Sequence, residues 1–575
     1  MHRQDHLNRT LEWAMFMSHD SVSEQPVRAT PVPEVFQTVQ HVGIASLIDL
    51  AHTTAAASPP PVVSPPAELV GADNWLTGIQ GERDHGPALD YRRSLRRSAE
   101  HHLGDRAPVL LAPRKETPGA LNDWYDVPEA RLRQSRLGLT VTVTVIIVLL
   151  LLFRHVLFLR SVAIYFPLLA LWVMTFTNTA VQWLLSWWDR PYTATPRQQR
   201  YLATLRVTVS VPTYNEDPEL LDRSIWTMMN QTRPPQRIHV VDDGSKTDYS
   251  AVRSYWEGIW PGGIEVVWTR QENRGKKFAQ TVAFASDPDA DVFITVDSDT
   301  CLEHHAIEEG LKPLADPSVA SVAGIELLYN AHVNWITRMV SARNTVFQLM
   351  CWGAQSAVGD VLINRGTYAL YRAPIIREII PAYIGETFLG HPVKLGDDSA
   401  LTLFSRAHGR TVQQVTAFSF PMHPQNLGHH FRQWLRWARG STVRNCWRIR
   451  YLPIMSYGWW YVVLGDYMIM AFPAVPAIVA LTWPSSERFA AYLLVSMIIS
   501  CYMISLRIFS VCRSDETWWD QLKTALFFPG AMMWSMFVLR WIKLYGIVTC
   551  LRQGWVTRSR GVEVTLASSE KRAAA

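Results

Sequence analysis

The chain has 575 residues, with 55 Lys and Arg against 50 Asp and Glu for a net charge of +5. That near balance sets nucleic acid aside as a partner, and the length calls for at least two folded parts plus irregular sequence. Hydrophobic residues make up 48% and charged ones 18%, with 24 Trp, yet mean hydropathy is zero. The apolar residues are therefore concentrated in a few blocks, the pattern of membrane spans.

The N-terminus, MHRQDHLNRTLEWAMFMSHDSV, lacks an apolar stretch of the kind a cleavable signal peptide needs. Residues 1–130 carry Pro, Ala and Ser clusters such as Ser58-Pro59-Pro60-Pro61 without sustained periodicity, and read as a disordered cytosolic tail. Residues 137–159 and 162–188 are each long and apolar enough to cross a hydrocarbon core of about 30 Å as a helix. Arg131, Arg133 and Arg136 precede this pair and Arg190, Arg197 and Arg200 follow it. The positive-inside rule puts both flanks in the cytosol, and Trp183, Trp187 and Trp188 suit an interfacial belt.

From about 200 to 450 short β-rich runs alternate with helical stretches, as in an α/β domain with a largely parallel sheet. The clearest strands are 207–211, 238–241 and 292–296. Spans 459–483 and 488–511 form a second hairpin. The stretch 522–549 contains Pro529-Gly530 and reads as one span or a re-entrant pair, within a C-terminal membrane block of 459–550. Residues 551–575 return to the cytosol. The cysteines, Cys301, Cys351, Cys446, Cys501, Cys512 and Cys550, are widely spaced without C-x-x-C, so neither a zinc site nor a disulfide framework is indicated.

In open α/β sheets ligands sit beyond the carboxyl ends of the strands. Pro212-Thr213-Tyr214-Asn215-Glu216 follows the first strand, Asp242-Asp243-Gly244-Ser245 the second, and Asp297-Ser298-Asp299-Thr300 the third. Carboxylates gathered at one sheet edge repel each other unless compensated, and a hard divalent ion that also binds a diphosphate is the natural compensator. D-x-D alone is weak: Asp287-Pro288-Asp289 and Asp289-Ala290-Asp291 match it too, but they enter a strand through a turn and read as solvated. Gly396-Asp397-Asp398 adds an acidic pair. In Gln433-Trp434-Leu435-Arg436-Trp437, the residues Gln433, Arg436 and Trp437 fall on one face of a helix. That face offers an amide, a guanidinium to grip a diphosphate, and an indole on which a sugar can stack.

This order of motifs, over roughly 137–560, resembles the processive family 2 glycosyltransferases. The two leading helices, Arg274-Gly275-Lys276-Lys277 and the late Trp555-Val556-Thr557-Arg558 resemble hyaluronan synthases and the related chitin and chito-oligosaccharide synthases. The resemblance implies a cytosolic GT-A catalytic domain embedded between transmembrane hairpins, in the plasma membrane. It also implies a UDP-sugar donor, Mg²⁺ or Mn²⁺, and a channel for the growing polysaccharide chain. By the same resemblance Tyr214, Glu216, Asp242 and Asp243 belong to the nucleotide pocket, and Lys276 and Arg436 to the diphosphate. Asp297 and Asp299 take donor and metal, Asp398 beside Asp397 is the general base, and Gln433 and Trp437 hold the acceptor. Trp555, Thr557 and Arg558 form a segment closing over UDP. Three positions depart from the pattern: Ser399 for Arg, Val556 for Gly, and Asn364-Arg365-Gly366-Thr367 where S-G-P is usual. The alternatives are a poly-GlcNAc or β-glucan synthase, a single-transfer lipid-linked enzyme, against which Gln433-x-x-Arg436-Trp437 argues, and a silent nucleotide-binding scaffold.

Overall fold

The computed structural model describes residues 127–133, 143, 173–174, 177–260, 263–468 and 487–553. All but one residue of the span 137–159, about half of 162–188, part of 459–483, tail residues 1–126 and the Trp555–Arg558 segment lie outside the described residues.

The central domain is built on nine strands: β2 (Val207–Thr213), β3 (Arg237–Asp242), β4 (Gly258–Trp260), β5 (Ile264–Arg270), β6 (Val292–Thr295), β7 (Thr300–Leu302), β8 (Val319–Glu326), β9 (Ala369–Arg372) and β12 (Arg410–Pro421). Their order is β4-β5-β3-β2-β6-β9-β8-β12-β7. β2 is buried along its whole length, as expected of a strand covered on both faces. Side-chain alternation divides the two cores: Val207, Val209, Val211, Ile238, Val240 and Ile294 pack into one, and Phe293 joins Phe284, Tyr371, Ile376, Ile380 and Phe404 in the other.

The sheet is mixed rather than largely parallel. β5, β3, β2 and β6 run parallel, but β9 lies antiparallel between β6 and β8, and β4 and β7 pair antiparallel at the edges. Short strands such as β9 (ALYR) carry no sign of direction in their own residues; direction is set by the helices that deliver the chain. The assumed solvated turn before β6 is also different: Asp287 is buried, pairs with Arg206 at 3.0 Å and accepts from Thr208 Oγ1 at 2.5 Å. It anchors the sheet at the edge away from the ligand side.

The helices that build the site are α1 (Lys276–Ala285), α2 (Trp335–Phe347), α3 (Asp397–His408), α4 (Leu427–Tyr451), α5 (Trp518–Trp534) and α6 (Arg540–Val548). α5 and α6 join through a π-helical turn at Ser535–Leu539. Together Trp518–Val548 is the one helix among the described residues long and apolar enough to cross a membrane. Pro529 lies inside α5 without ending it. Residues Glu487–Ser505 are helical as well. Trp183, Ala342, Val346, Cys501, Ile504 and Phe528 form a shared core where α2 meets these C-terminal helices. The end of the N-terminal tail is ordered: β1 (Ala130–Leu132) pairs antiparallel with β13 (Val511–Arg513).

Candidate active site

The loops after β2 and β3 interlock. Asn215 adopts a left-handed backbone, φ 46°, that Asn tolerates better than most residues. Its side chain accepts from Lys246 N at 2.8 Å and its N–H donates to Ser245 Oγ at 2.9 Å. Gly244 must be Gly: its φ is +73°, and a Cβ there would stand 2.8 Å from Asn273 N. The Asp243 carboxylate accepts from Gln271 Nε2, Arg274 N and Gly275 N at 2.6, 2.9 and 2.8 Å. It thereby fixes the entry to α1, whose first residue is Lys276.

Lys276 Nζ sits 2.7 Å from Asp297, 3.0 Å from Asp397 and 3.6 Å from Asp398. Burial opposes its charge, but the three carboxylates outweigh it and hold the ammonium pKa well above its usual value. The adjacent acids diverge. Burial also opposes ionisation of Asp397, yet Lys276 overrides it and keeps that carboxyl at about 2. Asp398 is pushed well above the usual carboxylate range by burial and by the negative charge on Asp397. A proton acceptor beside a fixed charge results.

α3 begins with these two acids after Gly396. Across from it, Asn426 caps α4 by accepting from His429 N at 2.8 Å. A Cβ on Gly440 of α4 would stand 3.2 Å from Gly396 N, so this helix lies directly on the acidic loop. Gln433, Arg436 and Trp437 share one face, as their spacing requires, and line a cavity of about 640 Å³.

That cavity also contains Tyr214, Asp243, Lys276, Asp297, Asp299, Asp397 and Asp398, and it continues to Met497, Cys501, Ile504, Met532 and Leu539 among the C-terminal helices. Two expected residues lie behind its wall. Asp242 accepts from Ser245 N at 2.9 Å and shapes the turn, while Glu216 accepts from Ser298 Oγ at 3.1 Å, bracing the Asp297-Ser298-Asp299 loop. Trp555, Thr557 and Arg558 are outside the described residues. The motifs did not disclose Glu326 and His423, which line the same cavity as Arg365, a residue visible in the sequence within a departure from the family pattern. Glu326 did carry a signal, since it ends a strand as Asp242 does.

Among the described residues no group of three or more His, Cys, Asp or Glu is assembled to hold a metal. Asp297 and Asp299 line one cavity, and a hard ion such as Mg²⁺ typically takes only one or two carboxylates when substrate phosphates complete its shell. The residues fit an ion brought with a diphosphate.

Residues 208–380 match the model of the glycosyl transferase family 2. Over 394 residues the chain is 29% identical to the hyaluronan synthase of Streptococcus pyogenes serotype M3, covering 68% of this chain and 90% of that protein. It is 27% identical over 362 residues to an N-acetylglucosaminyltransferase of Azorhizobium caulinodans, covering 62% and 88%. A solved mannosyltransferase from Pyrobaculum calidifontis superposes over 66% of this chain at 19% identity, with a TM-score of 0.46. The match spans β2 to β9 and takes in carboxylates at their strand ends: residues 208–380 form a glycosyl transferase family 2 domain, in a chain similar to hyaluronan synthases and N-acetylglucosaminyltransferases.

Proposed function

We propose that the protein is a processive, inverting glycosyltransferase. It polymerises UDP-activated sugars into a β-linked, hyaluronan-like polysaccharide and passes the chain through its own membrane helices. The observation that carries this reading is the continuous cavity, which joins the carboxylate cluster, the Gln433-Arg436-Trp437 face and the C-terminal helices. A single-transfer enzyme has no need of the far end. Beyond the donor acids the described lining adds Arg343, Arg448, Arg540 and Lys543 and one further acid, Glu326, itself paired with Arg365. Cationic side chains on the described part of the path suit an anionic polymer.

In the transfer step Asp398 takes the proton from an acceptor hydroxyl as that oxygen bonds to the anomeric carbon. The bond from that carbon to the diphosphate breaks, and its electron pair leaves with UDP. An α-linked donor so yields a β-linkage. Proton removal by a positioned base contributes about 10²–10⁴-fold. Lys276 and Arg436 balance charge on the departing diphosphate, and Trp437 gives the acceptor ring a stacking face. Mg²⁺ or Mn²⁺ held by Asp297 and Asp299 would supply further positive charge to the diphosphate. The catalytic domain lies on the cytosolic side of the plasma membrane in this reading, where UDP-sugars are found.

The test offers purified protein UDP-GlcNAc, UDP-GlcA and UDP-Glc singly and in pairs, with UDP release and product size recorded. Long product is expected from UDP-GlcNAc with UDP-GlcA. Long product from UDP-GlcNAc alone assigns a chitin-type polymer, in line with the Azorhizobium relative; single-transfer products alone overturn the processive reading.

A further inference from the structure

On the acceptor side of Asp398 lies an ion cluster that the transfer step does not use. Glu326, at the carboxyl end of β8, accepts from Arg365 Nη1, His423 Nε2 and Asn344 Nδ2, each at 2.9 Å, and from Thr367 Oγ1 at 3.4 Å. Burial opposes its charge, but Arg365 and His423 hold its carboxyl at about 2. Glu326, Asn344, Arg365, Thr367 and His423 all line the cavity.

Three contacts locate this cluster relative to the chemistry. Gly366, between Arg365 and Thr367, packs on Asp398, and a Cβ there would also stand 2.7 Å from Lys276 Nζ. The His423 ring meets the Trp437 indole edge-on, centroids 6.4 Å apart. The Arg365 guanidinium lies 4.6 Å over the Trp352 ring. The cluster is thus bounded by the base on one side and the stacking indole on the other, where an acceptor's terminal sugar must sit to present its hydroxyl.

A guanidinium held by a carboxylate and an aromatic face is rigid, and its planar fork of five donors suits recognition of oxygen atoms. The charge of Arg365 is already balanced by Glu326. A second carboxylate gains little from such a pair, whereas hydroxyl and amide oxygens gain hydrogen bonds without a charge mismatch.

We propose that Arg365, fixed by Glu326 and Trp352, is the acceptor-specificity residue: it docks the terminal sugar through uncharged hydroxyl and amide groups and aims its nucleophilic oxygen at Asp398. This rests on the polymerase reading above.

The test compares full-length wild type with Arg365→Ala, Arg365→Lys and Glu326→Gln in detergent. UDP affinity, donor hydrolysis with water as acceptor, and transfer to oligosaccharides ending in an N-acetylhexosamine or a hexuronate are measured for each. In Arg365→Ala, UDP affinity and hydrolysis are expected within about two-fold of wild type. Transfer to the N-acetylhexosamine terminus should fall about ten-fold or more through acceptor KM. Arg365→Lys should be intermediate because an ammonium lacks the fork, and Glu326→Gln should follow the same split.

Parallel loss of hydrolysis and transfer would make the cluster merely structural. Unchanged transfer, or selective loss on the hexuronate terminus, would overturn the proposed recognition while leaving the polymerase reading intact. A wild type that hydrolyses donor but elongates nothing overturns both.

Discussion

Two successive lysines open α1 and enter two different ion clusters. Lys277 is buried against Glu386 at 2.7 Å, and Arg444 of α4 meets the same carboxylate at 2.7 Å. One acid there faces two bases, and the Glu386 and Arg444 side chains are at most 1% exposed. Lys276 faces three carboxylates that keep up to 33% of their side-chain surface exposed in the cavity. The first cluster is closed and joins α1 to α4. The second carries surplus negative charge and open surface, which is what a cation-bearing diphosphate and a proton donor require. Neighbouring positions on one helix thus separate scaffold from chemistry.

The largest effect should come from breaking the closed cluster. Glu386→Gln leaves Lys277 and Arg444 buried without a counter-charge and should cost about 3–5 kcal/mol, read as a lowered denaturation midpoint. Burial opposes the Glu386 charge, but Arg444 and Lys277 depress its pKa from 4.5 to about 2. Its stabilisation should therefore be complete above pH 4.5 and be lost as pH falls toward 2. A midpoint unmoved by the substitution would dissolve the distinction between the clusters.

In the open cluster, Asp398→Asn keeps the side-chain shape without the proton acceptor. Transfer should drop by about 10² or more while titrated UDP binding persists. Near-normal turnover would show that another group is the base. Asp299→Asn should weaken donor binding and turnover together, with partial recovery in excess Mn²⁺. Loss of turnover alone would remove Asp299 from the metal site.

The smallest and most diagnostic change is Asp397→Asn. Asp398 is held above the ordinary carboxylate range by burial and by Asp397, so the acid limb of the pH–rate profile should lie above that range in wild type. Removing the like charge should let Asp398 ionise at lower pH and move the limb downward. A limb that stays put would separate the rate-controlling group from this pair.

The open cluster was legible by two different signals: Asp297 follows β6 at the strand end that defines the ligand edge, whereas Asp397 and Asp398 open α3 after Gly396 and stood out as an adjacent acidic pair in the order of motifs. The closed cluster was not. Lys277 and Glu386 are 109 residues apart and Arg444 a further 58, and nothing local in any of the three announces its partners. Arg365 was visible as a departure from a family segment, but its pairing with Glu326 depends on β9 running antiparallel beside β8. Four residues of β9 contain no signal for that direction. At Pro529 the sequence left one span and a re-entrant pair open, and packing decides: the local helix breaker is outweighed where α5 meets α2, with Phe528 fully buried in the core that Ala342 and Val346 share.

The pairing of β1 with β13 bears on biosynthesis. Glu129 N donates to Ser514 Oγ at 2.8 Å across 385 residues of chain. At a synthesis rate of about 5–20 residues per second, the two halves of this clasp leave the ribosome roughly 20 to 80 s apart. Until then Ala130–Leu132 is an unpaired strand edge on a nascent chain whose catalytic domain is already complete. Closure of the clasp is therefore a late step, since Ala130–Leu132 has no partner strand until Val511–Arg513 has been made.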